Sequence, residues 1–151
     1  MNIGEKAPDF TLTDCCGNEV DSRSLRGKKI WLYFFTSPGG GNWTRMAHGY
    51  RELADRFKQH DIVIYGMNDK GAQSNKEWVE KENLPFKVLQ DVGRAVGEAL
   101  EMSDPDGDRY VKKSEEGRRP AVVIDENGFI LAWEQDMNTA EAIEELLNRI
   151  T

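Results

Sequence analysis

The 151-residue sequence predicts an α/β fold in which a mixed central β-sheet is flanked by helices. Residues 30–35 form a continuous run of β-branched and aromatic residues, which is typical of a strand buried on both faces. A second buried strand at residues 62–67 and the helical patterns around it favour parallel neighbouring strands. Hairpin patterns at residues 9–20 and 121–133 add antiparallel strands to this sheet.

The N-terminal part of the chain predicts a hairpin and, after the first buried strand, one long helix. Phe10 and Leu12 alternate with polar residues before a turn at residues 14–18, as expected for a half-buried hairpin strand. After the glycines at residues 39–41, Asn42 is a predicted N-cap. The apolar residues of this helix recur at three- and four-residue intervals on one stripe: Trp43, Met46, Ala47, Tyr50, Leu53, Ala54 and Phe57.

A helix, a short strand and another helix are predicted after the second buried strand. Ser74 and Glu77 have the spacing of a capping box, which predicts the start of a helix that ends before residues 84–85. A short strand is predicted at residues 86–89, and a helix near residues 92–102. These elements continue the alternation of strands and helices.

The last part of the sequence predicts a hairpin followed by a helix. An Asn-Gly pair at residues 127–128 is a strong hairpin signal between predicted strands at residues 121–125 and 129–133. The final helix is predicted to start at Asn138, with Glu141 three residues later. Its apolar stripe is formed by Ala142, Ile143, Leu146, Leu147 and Ile150.

The composition excludes several classes of function. The net charge of −7 and the pI near 4.9 argue against nucleic acid as a partner. Two adjacent cysteines, Cys15 and Cys16, and two histidines provide neither a disulfide framework nor a metal site, and no cofactor is predicted. Because the N-terminus lacks an apolar signal segment and no apolar run approaches the ~18 residues that cross a bilayer, we expect a cytoplasmic protein without membrane contact.

Several segments occur in an order and spacing that are more specific together than any one of them alone. They are residues 3–12, 32–35, 84–86 with the following Asp91, and 119–128. In this respect the chain resembles the peroxiredoxin (AhpC/TSA) family, and its bacterioferritin-comigratory or Q-type branch in particular. The resemblance covers essentially the whole sequence and implies one redoxin domain over residues 1–151 with a thioredoxin-like fold. It also implies a monomer or a weak homodimer.

The active segment of that family contains a proline, a threonine and the peroxidatic cysteine at a helix start, with a resolving cysteine five residues later. An ungapped alignment over residues 32–53 places other residues at these positions, in the same order: Thr36, Gly40, Trp43 and His48. Only the distant arginine of the family is retained, as Arg119. The resemblance therefore predicts a degenerate peroxiredoxin site.

The replacement of the peroxidatic cysteine by Trp43 removes the chemistry that the family uses. A peroxidatic thiol depends on a helix N-terminus and a nearby arginine to stabilise its thiolate. An indole cannot attack the O–O bond or become a sulfenic acid. Helical spacing directs Trp43 toward the protein body with Ala47 and Tyr50, so we expect it to fill the peroxide pocket. The sequence thus predicts a binding or interaction module for an unknown protein or small-molecule partner.

The competing function is a thiol oxidoreductase or weak peroxidase that uses Cys15 and Cys16, the only redox-capable pair. Adjacent cysteines can close a strained eight-membered disulfide ring, which suits a slow redox switch. The family topology places both at a hairpin tip, away from the helix N-terminus that would activate a thiolate. Two ordinary reduced thiols are therefore the expected state.

Alternatives remain open for the other site residues. Trp43 is either a core aromatic or the lining of an anion-binding groove at the helix N-terminus. His48 lies off the apolar stripe and is expected on a solvated helix face. Arg119 either retains an anion-binding role in the old pocket or pairs with a carboxylate, and the peptide bond before Pro120 is a candidate cis bond.

Overall fold

The computed structural model describes residues 1–36, 41–103, 110–111, 120–135, 137 and 139–151, with the side chains of residues 41–43 outside the description. Seven strands are present in these segments: β1 (Thr11–Asp14), β2 (Glu19–Asp21), β3 (Lys29–Phe34), β4 (Ile62–Asn68), β5 (Lys87–Gln90), β6 (Ala121–Ile124) and β7 (Ile130–Glu134). The helices are α1 (Gly41–Glu52), α2 (Ala54–Gln59), α3 (Ala72–Lys81), α4 (Ala95–Ala99) and α5 (Ala140–Ile150). A short 3₁₀ helix covers Ser22–Leu25.

The strands form one sheet in the order β2-β1-β5-β4-β3-β6-β7. The central strands β3, β4 and β5 are parallel, whereas β1, β2, β6 and β7 pair antiparallel with their neighbours. Alternation of strands and helices produces the parallel centre, and the two hairpins extend it on both sides. The predicted mixed sheet with an N-terminal hairpin is confirmed.

Both faces of the sheet are covered, as the apolar composition of β3 predicts. Trp31, Tyr33 and Phe35 belong to a core on the face packed by α1, α2, α3 and α5, which we call the α1 face. Ile30, Leu32 and Phe34 belong to a second core that includes Val96 and Leu100 around α4, on the α4 face. All six side chains of this run are at most 5% exposed, because successive residues of a strand point to opposite faces.

The long helix predicted from the stripe between Trp43 and Phe57 is interrupted. Leu53, with φ −98° and ψ 4°, is not helical, so α1 ends before it and α2 begins after it. Its carbonyl accepts the first backbone bonds of α2, from Arg56 and Phe57. The stripe itself persists, because Tyr50, Leu53 and Phe57 all pack in the α1-face core. The prediction of one continuous helix is wrong because apolar spacing does not report a single non-helical residue.

The helix starts also differ from the predicted caps. Helix α3 begins at Ala72, and Ser74 lies inside its first turn, where its hydroxyl donates to the Gly71 carbonyl (3.4 Å). The prediction that Ser74 and Glu77 form a capping box at the start of this helix is therefore wrong. Helix α5 is capped by Thr139, whose Oγ1 accepts a bond from the Ala142 N–H (3.1 Å); Asn138 lies outside the described residues. Asn42 is within α1 rather than at its cap, since that helix already includes Gly41.

Helix α4 is shorter than the predicted helix near residues 92–102. Arg94 precedes it in the left-handed conformation (φ 66°), and Glu101 follows it in the same region (φ 60°). Neither conformation continues a right-handed helix, so the helix is confined between them. None of the described helices is long and apolar enough to span a membrane.

Candidate functional site

The site predicted from the family alignment lies where β3 leaves the sheet and α1 begins. Thr36 follows β3 and is half-buried, and α1 starts at Gly41. The backbone of Trp43 is therefore in the first turn of α1, although its side chain lies outside the described part of the chain. Gly40 and Arg119 also lie outside the described residues, and with Arg119 the peptide bond before Pro120. The structure thus places the helix start but not the side chains around it.

Three polar contacts fix α1 to α3. The Trp78 indole N–H donates to Thr44 Oγ1 (3.1 Å), and Arg51 donates to the main-chain oxygen of Glu82 (2.6 Å). Between them, His48 Nε2 lies 2.7 Å from the Glu82 carboxylate. The His48 side chain is 39% exposed, so it lies at the edge of a helix interface rather than on a fully solvated face. The position aligned with the resolving cysteine is thus part of a contact between two helices.

The two cysteines lie in the turn that joins β1 to β2. The Gly17 N–H bonds to the Asp14 carbonyl (3.1 Å), so Cys15 and Cys16 are the two central residues of a β-turn. Gly17, the last residue of this turn, has φ +85°. Glycine adopts this left-handed conformation without strain, and the residue that closes such a hairpin loop requires it. The Asp14 carboxylate accepts the backbone N–H groups of Cys16 (2.8 Å) and Asn18 (3.0 Å), which rigidifies the turn.

The two thiols of this turn have different environments. Both are free, and Cys15 is 3% exposed in the α1-face core, whereas Cys16 is exposed. The backbone N–H of Cys15 donates to the Val88 carbonyl (3.0 Å), which continues the pairing of β1 with β5. Burial raises the pKa of the Cys15 thiol, and this outweighs the lowering by a hydrogen bond from the Val88 backbone to the thiol. Cys15 is therefore a poor nucleophile in this conformation.

The Cys15–Cys16 turn is separated from the start of α1. Strand β1 is three positions from β3 in the sheet, which corresponds to about 14 Å across the strands. In the register of the sheet, Tyr33 pairs with Gly66, Gly66 pairs with Val88, and Val88 is bonded to Cys15, so Cys15 lies at the level of Tyr33. Thr36 lies about 10 Å further along the strand direction. Neither cysteine therefore stands at the helix N-terminus that would stabilise a thiolate.

Tyr33 lies across the sheet between these two places. A Cβ atom at Gly66 would be 2.7 Å from both Cζ and Oη of Tyr33, so the ring extends over the glycine of the neighbouring strand. The ring stacks on Tyr50 of α1 (centroid distance 4.6 Å) and contacts Phe86 edge-on (5.5 Å). Its buried hydroxyl has no hydrogen-bond partner among the described residues. Burial, and to a smaller degree Tyr50 and Cys15, raise its pKa far above 10.0.

A buried carboxylate on the α4 face was not recognised as a structural centre from the sequence. Asp91 is 1% exposed and accepts bonds from the Val96 N–H (3.1 Å), the Gly97 N–H (2.7 Å) and the Tyr110 hydroxyl (2.6 Å). It therefore supplies the missing cap of α4 and fixes Tyr110. An acidic residue two positions after the apolar strand residues Val88 and Leu89 is the signal that could have indicated this role.

Two of the surface clefts lie beside α1 and α2 and provide room for a ligand. The larger, about 540 Å³, lies between α2 and β4 and has apolar walls from Phe57, Ile64 and Phe86, with Lys28 and Lys58 among its charged lining residues. The smaller, about 390 Å³, lies between α1 and α5. Four of its lining residues are glutamates: Glu52, Glu141, Glu144 and Glu145. Across the described segments, no group of three His, Cys, Asp or Glu side chains is arranged to hold a metal ion.

Comparison with known proteins gives consistent results. The sequence profile described as the AhpC/TSA family matches residues 3–132. A Coxiella burnetii protein described as a peroxiredoxin bcp is 29% identical over 150 residues, covering 99% of each chain. The Bacillus subtilis peroxiredoxin Bcp is 32% identical over 102 residues, which are 68% of this chain and 65% of that protein.

A solved structure shows the same fold. The crystal structure of a cysteine-to-serine variant of Xylella fastidiosa PrxQ superposes with a TM-score of 0.86, covering 99% of this chain and 95% of that chain. Only 16% of the aligned residues are identical, so this likeness concerns the fold alone. The thioredoxin-like fold that the resemblance implies is confirmed.

Proposed function

Since the chain belongs to the AhpC/TSA family, we propose that it is a peroxiredoxin homologue without thiol peroxidase activity, which acts by binding a protein or a small molecule. One observation carries this proposal. The residue in the first turn of α1 that aligns with the peroxidatic cysteine is Trp43, and both cysteines of the chain are in the β1–β2 turn.

The chemistry of the reaction supports this proposal. Reduction of a peroxide requires a sulfur nucleophile that becomes a sulfenic acid, and tryptophan provides none. Cys15 is buried and its pKa is raised, so it does not replace the missing thiolate. Cys16 is accessible, but it lies in a turn rather than at the N-terminus of a helix.

The contacts of α1 also support a non-catalytic role. A disulfide between residues 43 and 48 could not form on an intact helix, because Cα atoms five residues apart are separated by about 8.6 Å. The limit for a disulfide is about 7 Å, so the first turns of α1 would have to unwind. The contact of His48 with Glu82 and that of Thr44 with Trp78 instead fix this part of α1 to α3.

The cleft between α2 and β4 is the surface to which we assign the binding role. Its apolar walls suit a ligand with an apolar body. Three lysines, Lys28, Lys58 and Lys87, outnumber Asp55 and Asp61 in the lining, which suits a negative charge on that ligand. Titration of the protein with small aromatic carboxylates, followed by NMR, is expected to shift resonances of residues that line this cleft. The variant Ile64→Glu should abolish these shifts, whereas shifts that map to other surfaces would contradict the assignment.

A peroxide-consumption assay tests the absence of peroxidase activity. The wild-type protein is incubated with hydrogen peroxide, thioredoxin, thioredoxin reductase and NADPH, next to the double variant Cys15→Ser/Cys16→Ser. We expect NADPH oxidation at the same background rate for both proteins. Turnover by the wild type that the double variant lacks would establish a peroxidase and refute the proposal.

A gain-of-function variant tests whether only the chemistry is missing. Trp43→Cys with His48→Cys restores both thiols of the family pattern and removes the His48 contact with Glu82. If the scaffold is otherwise competent, the double variant should gain thioredoxin-dependent peroxidase activity that Trp43→Ser/His48→Ser lacks. No gain would mean that the segment between β3 and α1 has also lost the groups that orient a peroxide.

A further inference from the structure

We propose that the β1–β2 turn is a thiol–disulfide exchange site, in which the exposed Cys16 attacks a small-molecule disulfide and the buried Cys15 then closes a vicinal disulfide. This reaction is distinct from the binding role proposed above, because it modifies the protein once and consumes no peroxide. Three observations support it: the accessibility of Cys16, the position of Lys87 opposite it, and the place of Cys15 next to it in the same turn.

Cys16 is the thiol that a reagent in solution reaches first. It is exposed at the second central position of the turn, and its backbone N–H donates to the Asp14 carboxylate. Asp14 pairs with Leu89 and the Cys15 N–H bonds to Val88, so the next residue, Cys16, lies opposite Lys87. A hydrogen bond to the Cys16 thiol, and then the charge of its thiolate, raise the pKa of Lys87. The attacking species in such an exchange is the thiolate.

Cys15 is placed to complete the exchange. Cys15 is the other central residue of the same turn, and the Cys16 side chain raises the pKa of Cys15 by its charge and by a hydrogen bond. A hydrogen bond from the Val88 backbone to the Cys15 thiol lowers its pKa, and this bond has to break when the Cys15 sulfur turns toward Cys16.

The reaction balances with a disulfide as the oxidant. The Cys16 thiolate attacks one sulfur of RSSR, which forms a mixed disulfide and releases RS⁻. Cys15 then loses its proton and attacks the Cys16 sulfur, which forms the Cys15–Cys16 bond and releases the second RS⁻. Two protein thiols are oxidised by two electrons, and the small disulfide is reduced to two thiols.

The product has a structural consequence for the hairpin. Adjacent Cα atoms are about 3.8 Å apart, which is shorter than the 4.4 Å minimum usual for disulfides. The eight-membered ring is therefore strained and readily reduced, as suits a reversible modification. Closing it requires the turn to change conformation, which breaks the bond from the Cys15 N–H to the Val88 carbonyl. Oxidation should thus loosen the hairpin from β5.

The test exposes the complete reduced protein to oxidised glutathione and follows its intact mass. The mass of the wild type should first increase by one glutathione adduct. It should then fall to a value two hydrogens below that of the reduced protein. Cys15→Ser should accumulate the adduct at Cys16, and Cys16→Ser should remain unmodified while folded. A wild-type protein that stops at the adduct, or a Cys16→Ser variant that reacts as fast as the wild type, would refute the proposal.

Two further measurements separate the roles of the neighbouring groups. Lys87→Gln should slow adduct formation by about two- to fivefold, as expected for an exposed ion pair, and Lys87→Arg should restore the rate.

Hydrogen exchange of the Cys15 amide should be slow in the reduced wild type and fast after oxidation. Equal exchange in both states would show that the hairpin does not respond, and equal rates in the two Lys87 variants would exclude a role for this charge.

Discussion

Substitution of Gly66 by alanine tests the packing that holds Tyr33 across the sheet. The new Cβ would lie 2.7 Å from two atoms of Tyr33, whereas ordinary contacts begin at 3.4 Å, so the ring would have to move by about 0.7 Å. Such a movement is opposed on several sides, because Tyr50, Phe86 and Phe35 all contact the ring. Overpacking of this kind costs about 1–3 kcal/mol.

The experiment is decisive because the clash lowers the free energy of unfolding, whereas a glycine-to-alanine substitution without a clash raises it. Gly66 does not have a positive φ, so without the clash alanine would stabilise the protein by about 0.4–1 kcal/mol through the unfolded chain. We therefore expect a net loss of about 1–2 kcal/mol in the free energy of unfolding, or about 2–8 °C in Tm. Urea unfolding followed by tryptophan fluorescence measures it. An unchanged or more stable variant would refute the packing described for Tyr33.

Two control variants complete this experiment. A Cβ at Gly49, in α1, would meet Ala140 and Ile143 at 3.5 Å, which is ordinary contact, so Gly49→Ala should stabilise the protein by about 0.5–1 kcal/mol. Tyr33→Phe removes an unpartnered hydroxyl and should cost little. When Tyr33→Phe is combined with Gly66→Ala, it should recover only part of the lost stability, because the contact between the new Cβ and Cζ of residue 33 remains.

Three other predictions concern the polar and ionisable groups. Tyr110→Phe removes one of three bonds to the buried carboxylate of Asp91 and should cost about 1.5–3 kcal/mol in urea unfolding, where a neutral result would contradict the geometry. Burial raises the pKa of Tyr33 and Tyr110 well above 10.0, so their contribution to stability should be constant below about pH 10 and fall above it, as the unfolded chain loses these protons first. In alkaline titrations, tyrosinate absorbance should appear together with the loss of circular dichroism and not before it. A double-mutant cycle of His48→Ala and Glu82→Ala should give a coupling of about 0.2–1 kcal/mol, because both groups are partly exposed; zero coupling would mean that the pair does not hold α1 to α3.

The sequence allowed the sheet to be predicted because its strands differ strongly in composition. The run that includes Trp31 and Phe34 has apolar residues at every position, which only a strand with two covered faces requires. The Asn-Gly pair before Phe129 predicted the second hairpin because tight hairpin turns require a positive φ that glycine readily adopts. Gly128 has φ +92°. These features are local, so periodicity and turn chemistry were enough.

The helix ends could not be predicted equally well, because neighbouring residues compete for the same role. Asn138 and Thr139 are both good N-caps, and only the path of the chain decides that Thr139 bonds to Ala142. Ser74 and Glu77 have capping-box spacing inside a helix that had already begun. The left-handed conformation of Arg94 is rare for a residue with a side chain and has no compositional signal.

The sequence gives the residue types of the proposed site but not their arrangement. The assignment of Trp43 to the position of the peroxidatic cysteine is an inference from the alignment alone. That Cys15 is buried and Cys16 exposed depends on the register between the turn and β5, which two identical adjacent residues cannot reveal. The bond between Asp91 and Tyr110 joins residues 19 positions apart and involves a segment without any periodic pattern.

The most direct test of the central claim is the rate at which the thiols of the native protein react with hydrogen peroxide. Stopped-flow mixing with a competing probe measures this rate constant without any reductant. With no sulfur at the start of α1, we expect the native wild type to react no faster than the same chain unfolded in urea. A native rate constant that exceeds the unfolded value by orders of magnitude would reveal an activated thiol and would contradict the account.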